Sequence, residues 1–149
     1  MNEIESIFKA GELCLTYKRK HNDGARVTQD IHVLQTIREA IGDDMEVREV
    51  GVIIGLSRAN KIRTVFRLAS GGTASCIFDP KLIFSRLLLD HCSGFVMAHN
   101  HPSGVASPSL ADRSITTDLV KAGKVLDLPC LDHIIVTHDD HKSLSDLCI

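Results

Sequence analysis

The stretch from Glu49 to Leu56, Glu-Val-Gly-Val-Ile-Ile-Gly-Leu, constrains the fold more than any other part of this sequence. Beyond Glu49 it is almost continuously apolar, rich in β-branched residues and too short for a lone helix. Side chains alternate between the two faces of a strand, so a strand without a polar face must be covered on both sides. A central strand of this kind demands helices above and below it.

The rest of the chain offers them. Thr28 reads as the N-cap of a helix carrying Ile31, Leu34, Ile37 and Ile41 at helical spacing, with Gly42 as its stop. Asp79-Pro80 pairs an N-cap with a proline at the first helical position. The helix it opens is expected to run to about Asp90 and to bury Leu82, Ile83 and Leu87. A long helix over residues 109–126 places Ala111, Ile115, Leu119, Ala122 and Leu126 on one stripe. Further strands are expected over residues 12–18, 62–68, 73–78, 94–98 and 131–137, with a turn at 57–61 and a bend at Gly71-Gly72. Strands mixed with covering helices predict an α/β fold, and 149 residues predict a single domain spanning 1–149.

Composition narrows the function. With 17 Lys+Arg against 19 Asp+Glu, the net charge of −2 counts against direct nucleic-acid binding. The triplet Lys18-Arg19-Lys20 reads as a solvated loop. No apolar run reaches the roughly 18 residues of a membrane span, so no membrane partner is expected. The acidic opening, Met1 to Ser6, lacks a signal-peptide pattern, which predicts a cytoplasmic protein. Cys14, Cys76, Cys92, Cys130 and Cys148 are odd in number, widely spaced and without a CxxC pair. They read as reduced core cysteines.

The strongest chemical signal is His99-Asn100-His101-Pro102-Ser103-Gly104, followed by Pro108-Ser109-Leu110-Ala111-Asp112. Histidines at i and i+2 on a strand point the same way, so His99 and His101 can converge on one ion. Asp112 then arrives in the first turn of a helix. Two imidazoles and one carboxylate make a three-ligand set of the catalytic-zinc type, leaving a fourth position for water. Zn²⁺ suits this set better than Mg²⁺ or Ca²⁺, which prefer oxygen donors. A plainer reading stands beside it. Ser109-x-x-Asp112 is also a helix-capping pattern, and His99 and His101 can be ordinary strand-end histidines. The string His-Asn-His is not the signature of HNH nucleases, whose three residues lie far apart in sequence.

His-x-His, seven residues, then Ser-x-x-Asp resembles the JAMM zinc motif of the JAB/MPN metalloprotease superfamily. His-Asn-His-Pro-Ser-Gly is similar to the RadC branch in particular. So are Arg58-Ala59-Asn60-Lys61, Gly71-Gly72-Thr73, residues 79–84, residues 121–124 and Leu131-Asp132-His133-Ile134-Ile135. The resemblance covers about residues 11–146. It implies a JAB/MPN-like, cytidine-deaminase-like mixed sheet flanked by helices. It also implies one zinc ion per chain on His99, His101 and Asp112, and a hydrolase acting on a peptide, isopeptide or other amide bond. The family's upstream glutamate maps to Glu49, with Glu46 the nearest competitor, and its implied role is general base and acid. Zinc lowers the pKa of its bound water to about 7, and a nearby carboxylate can take the proton and pass it to a leaving amine. Ser109 carries over as the hydroxyl that helps stabilise the oxyanion. By its residue type alone, Glu49 reads as a solvated carboxylate at a strand start; the resemblance reverses that reading.

The implied partner is a protein or peptide substrate; the oligomeric state, a homodimer included, stays open. Asp132-His133 reads as a structural pair or as support for a ligand histidine. The segment His138-Asp139-Asp140-His141 reads as a solvated turn. Two departures from the family stand out. About ten residues precede the first shared strand, too few for the helix-hairpin-helix region of longer RadC chains. The family's aromatic Tyr-Ser-Phe is here Lys142-Ser143-Leu144. The alternatives to a hydrolase are an accessory protein of DNA repair and a metal-stabilised scaffold without turnover.

Overall fold

The computed structural model describes residues 30–68 and 77–149. In chain order the elements are α1 (Asp30–Ile41), a 3₁₀ turn (Gly42–Asp44), β1 (Gly51–Leu56), β2 (Ile62–Arg67), α2 (Pro80–Leu89) and β3 (Gly94–Asn100). They continue with α3 (Leu110–Val125), β4 (Cys130–Val136), β5 (His141–Ser143) and a second 3₁₀ turn (Ser145–Leu147). The expected strand over 12–18, the Thr28 cap, the basic triplet, the Gly71-Gly72 bend, Cys14 and Cys76 lie outside the described residues.

The strands form one mixed sheet in the order β2-β1-β3-β4-β5. β1 runs antiparallel to β2 and β3, β3 parallel to β4, and β4 antiparallel to β5. A parallel neighbour requires a crossover, and α3 supplies it between β3 and β4. All six residues of β1 are buried, as a strand covered on both faces requires. On one face Ile53, Phe95 and Met97 pack against Ile83, Phe84 and Leu87 of α2 and Ile115, Leu119 and Val120 of α3. On the other, Val52, Ile54, Val96, Ala98, Ile134 and Val136 meet Val33, Ile37 and Ile41 of α1. The fold is α/β: among the described residues, a mixed sheet lies between one helix and two, consistent with a JAB/MPN-like fold.

Helix ends follow local chemistry. Gly42 ends α1 at φ +58, a conformation that glycine adopts without cost. Asp79 caps α2 by accepting a hydrogen bond from the Lys81 N–H at 2.9 Å. Gly123 lets α3 approach the loop into β4, since a Cβ there would meet the Leu128 carbonyl oxygen at 2.3 Å.

Three expectations need correction. Leu82 is half exposed, and Phe84 occupies the buried position beside Ile83 and Leu87. Leu126 is exposed too; α3 ends at Val125, and its buried stripe runs through Asp112, Ile115, Thr116, Leu119, Val120 and Gly123. Each helix is rotated relative to its simplest apolar stripe, because the partner surface decides which face is covered. Of the strand expected over 73–78, residues 73–76 lie outside the described residues; Ile77 and Phe78 belong to no strand and are buried ahead of α2.

Candidate metal centre

β3 delivers the two histidines and α3 the carboxylate. His99 lies on the sheet face that α2 and α3 cover, with Phe95 and Met97, and is fully buried. His101 follows just beyond β3, its N–H still bonded to the Val136 carbonyl at 2.9 Å, which extends the strand geometry. Pro102 then turns the chain. The return to α3 is fixed by a complete capping box. The Ser109 Oγ accepts from the Asp112 N–H at 3.1 Å, and the Asp112 Oδ2 accepts from the Ser109 N–H at 2.7 Å. The cap and the ligand readings of this segment are therefore compatible: the cap sets where the Asp112 carboxylate points.

The three side chains converge. His99 Nε2 lies 2.9 Å from His101 Nε2, and 3.1 Å from Asp112 Oδ1; His101 Nε2 lies 3.5 Å from Asp112 Oδ2. One donor atom from each falls within 4.8 Å of the others, a spacing able to hold a metal ion. Among the described residues this is the one such His/Cys/Asp/Glu group.

The surrounding hydrogen bonds fit a metal. The His101 Nδ1 lies 2.8 Å from the Val105 carbonyl, which can only accept, so Nδ1 carries the proton and Nε2 keeps its lone pair. His99 Nδ1 meets His133 Nε2 at 2.9 Å, and His133 Nδ1 meets Thr116 Oγ1 at 2.6 Å. Thr116 in turn donates to the Asp112 carbonyl at 2.5 Å. That last bond uses the hydroxyl proton, so His133 Nδ1 must donate to Thr116. His133 Nε2 then accepts from His99 Nδ1–H, which leaves the His99 Nε2 lone pair facing Asp112 and His101. Partners of this type orient ligand histidines in metal sites generally. Phe78 closes the apolar wall with edge-on contacts to His99 and His133, at centroid distances of 5.8 and 5.5 Å.

Electrostatics follow from this packing. Burial alone would raise the Asp112 carboxyl, but His101, His99 and the Ser109 N–H together hold it well below the usual carboxylate range. The Asp112 carboxylate raises His101, against a smaller effect of burial. Burial lowers His133 to about 3, helped by His99.

The His133 shift has a stability consequence in the metal-free protein. An unfolded histidine takes up a proton near pH 6.5, whereas the folded state refuses it until about 3. This contribution is therefore full above pH 6.5 and is lost as pH falls toward 3, with a slope approaching about 1.4 kcal/mol per pH unit. Urea midpoints of chelator-treated protein are expected to fall steadily from about pH 6 to 4.5. A flat profile there would contradict a neutral, buried His133.

Glu49 lies on the approach to β1, and Asn100, on the sheet face away from His99, braces that approach. The antiparallel ladder ends with Gly51 paired to His99, so Glu49 and His101 leave the sheet at the same end, each two residues beyond that pair. Glu49 is half-buried and contributes to the raised pKa of His101. It precedes β1 rather than opening it, whereas Glu46 is exposed in the preceding turn. Asn100 holds this approach in place. Its Oδ1 accepts from the Val50 N–H at 2.7 Å, and its Nδ2 donates to the Met45 and Arg48 carbonyls at 2.8 and 2.9 Å. Two of these bonds flank Glu49. Asp44, held below its ordinary range by Arg48 and Arg67, ties the same loop to β2.

Sequence reasoning missed Asn100, Phe78 and Thr116, which carry no motif beyond the position of Asn100 between the two histidines. His133 takes the supporting role that was one of its two readings. The Asp132 carboxylate accepts from the Ser143 Oγ at 2.9 and 2.8 Å. His138 and Asp139 are exposed and pair with each other at 2.7 Å, as a solvated turn would.

A sequence model of the RadC-like JAB domain matches residues 27–148. The chain belongs to this family. RadC proteins are a branch of the JAB/MPN superfamily, and the buried His-His-Asp group agrees with that placement. Similar proteins carry the name UPF0758. One from Flavobacterium johnsoniae is 37% identical over 111 residues, covering 74% of this chain and 48% of that protein. One from Salinibacter ruber is 34% identical over 145 residues, covering 97% and 60%. A third, from Clostridium perfringens, is 32% identical over 146 residues, covering 98% and 60%. This RadC-like chain thus spans about half to three-fifths of the length of these relatives. Among the described residues, no helix is long and apolar enough to cross a membrane.

Proposed function

We propose that this RadC-like domain is a zinc-dependent hydrolase of the JAMM type, cleaving a peptide, isopeptide or other amide bond. The observation that carries the reading is the convergence of two imidazole nitrogens and a carboxylate, with the Glu49 charge near enough to raise His101. His99, His101 and Asp112 would hold the ion, each presenting a free lone pair. Zinc in such a site supplies a Lewis acid and an acidified water. The protein's own groups account for the remaining steps. Glu49 takes the proton from the attacking water and hands it to the departing amine nitrogen. The Ser109 Oγ accepts from Asp112 N–H, and a hydroxyl that accepts can still donate. That donation would go to the oxygen of the tetrahedral intermediate. His133 and Thr116 keep His99 oriented with its proton on Nδ1, and Asn100 holds the backbone on both sides of Glu49.

Glu49→Gln tests this reading, since it keeps size and removes the proton acceptor. In a host lacking the native protein, wild type is expected to restore the phenotype. The folded variant with equal metal content is expected to fail. Equal rescue by both would sink the hydrolase and favour a scaffold. Binding of the isolated chain to DNA with a steep salt dependence would instead favour the repair-accessory reading.

A further inference from the structure

A second reactive cluster lies away from the histidines. Cys130 opens β4 and is buried, while Cys148 follows the last 3₁₀ turn and is half-buried. Their Sγ atoms stand 3.9 Å apart, and both are reduced. The segment bearing Cys148 is laid against β4 by the Leu144 N–H, which bonds the His133 carbonyl at 2.8 Å. The 3₁₀ turn then brings Cys148 back over the start of the strand, with its Sγ 3.7 Å from the Leu144 carbonyl. A disulfide needs an S–S distance of about 2.05 Å. At 3.9 Å the two sulfurs are already in contact, and the terminal turn carrying Cys148 is the element that would close the remaining gap.

We propose that Cys130 and Cys148 form a reversible dithiol–disulfide site whose co-reactant is a peroxide. Cys148 is the attacking thiol. It is the more accessible of the two, and its hydrogen-bonding contact with the Cys130 sulfur draws it below the ordinary thiol range. Cys130 is pushed up by that same pairing and by burial, so it stays protonated until it is needed. The Cys148 thiolate attacks one peroxide oxygen; the O–O bond breaks, and the departing hydroxide takes up the thiol's proton as water. Cys148 is then a sulfenic acid. Cys130 attacks its sulfur, the S–S bond forms, and the hydroxyl leaves with the Cys130 proton as a second water. Two thiols and one hydrogen peroxide give one disulfide and two waters. Cys92 is unsuited to this chemistry: burial, with Asp90 beside it, pushes its thiol up to about 11. The bridge would close a ring of chain containing His133 and its bond to Leu144, and it stands independently of the hydrolase reading.

The test treats the whole protein, freed of reductant, with a small excess of hydrogen peroxide. Remaining thiols are blocked, and the digest is analysed unreduced by mass spectrometry. A peptide pair joined through Cys130 and Cys148, lighter by two hydrogens, is expected to rise at least about tenfold over the untreated control and to vanish on reduction. Cys148→Ser should abolish it. Cys130→Ser should leave Cys148 as a sulfenic acid that dimedone traps. The proposal is overturned if Cys148 stays reduced or goes to sulfinic acid without a bridge. A wild-type bridge to Cys14, Cys76 or Cys92 would overturn it equally. The wild-type arm needs no substitution, so a misfolded variant cannot obscure the answer.

Discussion

Asp112→Asn is expected to weaken zinc binding by more than about 100-fold while leaving the domain folded. The asparagine keeps a carbonyl oxygen for the Ser109 N–H, so the cap of α3 survives. What it loses is the anion that faces His99 Nε2 at 3.1 Å and His101 Nε2 at 3.5 Å. Loss of a mere supporting residue costs about 10- to 100-fold in affinity, and a ligand should cost more. Equilibrium dialysis against buffered zinc, with metal counted by mass spectrometry, measures the change. Thr116→Val is a useful contrast, since it removes only the hydroxyl that His133 leans on. It should fall within the smaller range. Unchanged affinity in Asp112→Asn would show that the carboxylate serves the cap alone.

The second large effect concerns stability. Asn100→Leu is nearly isosteric, yet it is expected to destabilise the domain by about 3 kcal/mol or more. Asn100 is fully buried, and its amide satisfies the Val50 N–H and the carbonyls of Met45 and Arg48. Leucine cannot bond any of them, and each buried group left unpaired costs about 1–3 kcal/mol. Urea unfolding of the metal-free protein reads the loss. A change within about 0.5 kcal/mol would mean that water replaces the amide and that the loop does not depend on it.

These two residues illustrate what a sequence shows and what it hides. The residues of the candidate metal group were legible because their signals are local. Period-two alternation aims His99 and His101 together, and a capping pattern fixes the start of the helix that carries Asp112. Asn100 sits between the histidines in the same motif, but its partners lie about fifty residues away, beyond any local pattern. His133 reaches His99 because β4 lies parallel to β3 with Met97 opposite His133, a register set by the crossover through α3. Helix rotation was hidden for a related reason. Leu82 and Phe84 are both apolar, and only the surface under α2 decides that Phe84 is covered.

The choice between Glu49 and Glu46 shows the same division. Both carboxylates precede the same apolar run, and a resemblance to the family favours the nearer one. In the structure Glu49 is half-buried at the end of the sheet where His101 leaves β3, and its charge raises His101, whereas Glu46 is exposed in the preceding turn. By itself the sequence determined the α/β class, the covered central strand and the residue types able to hold a metal. Those properties depend on periodicity and on neighbours a few positions apart. The tertiary structure decided the strand order, the His133–Thr116 support, the Asn100 anchor and the meeting of Cys130 with Cys148. Each of these depends on which distant segments the sheet brings side by side, and that pairing is a property of the whole core.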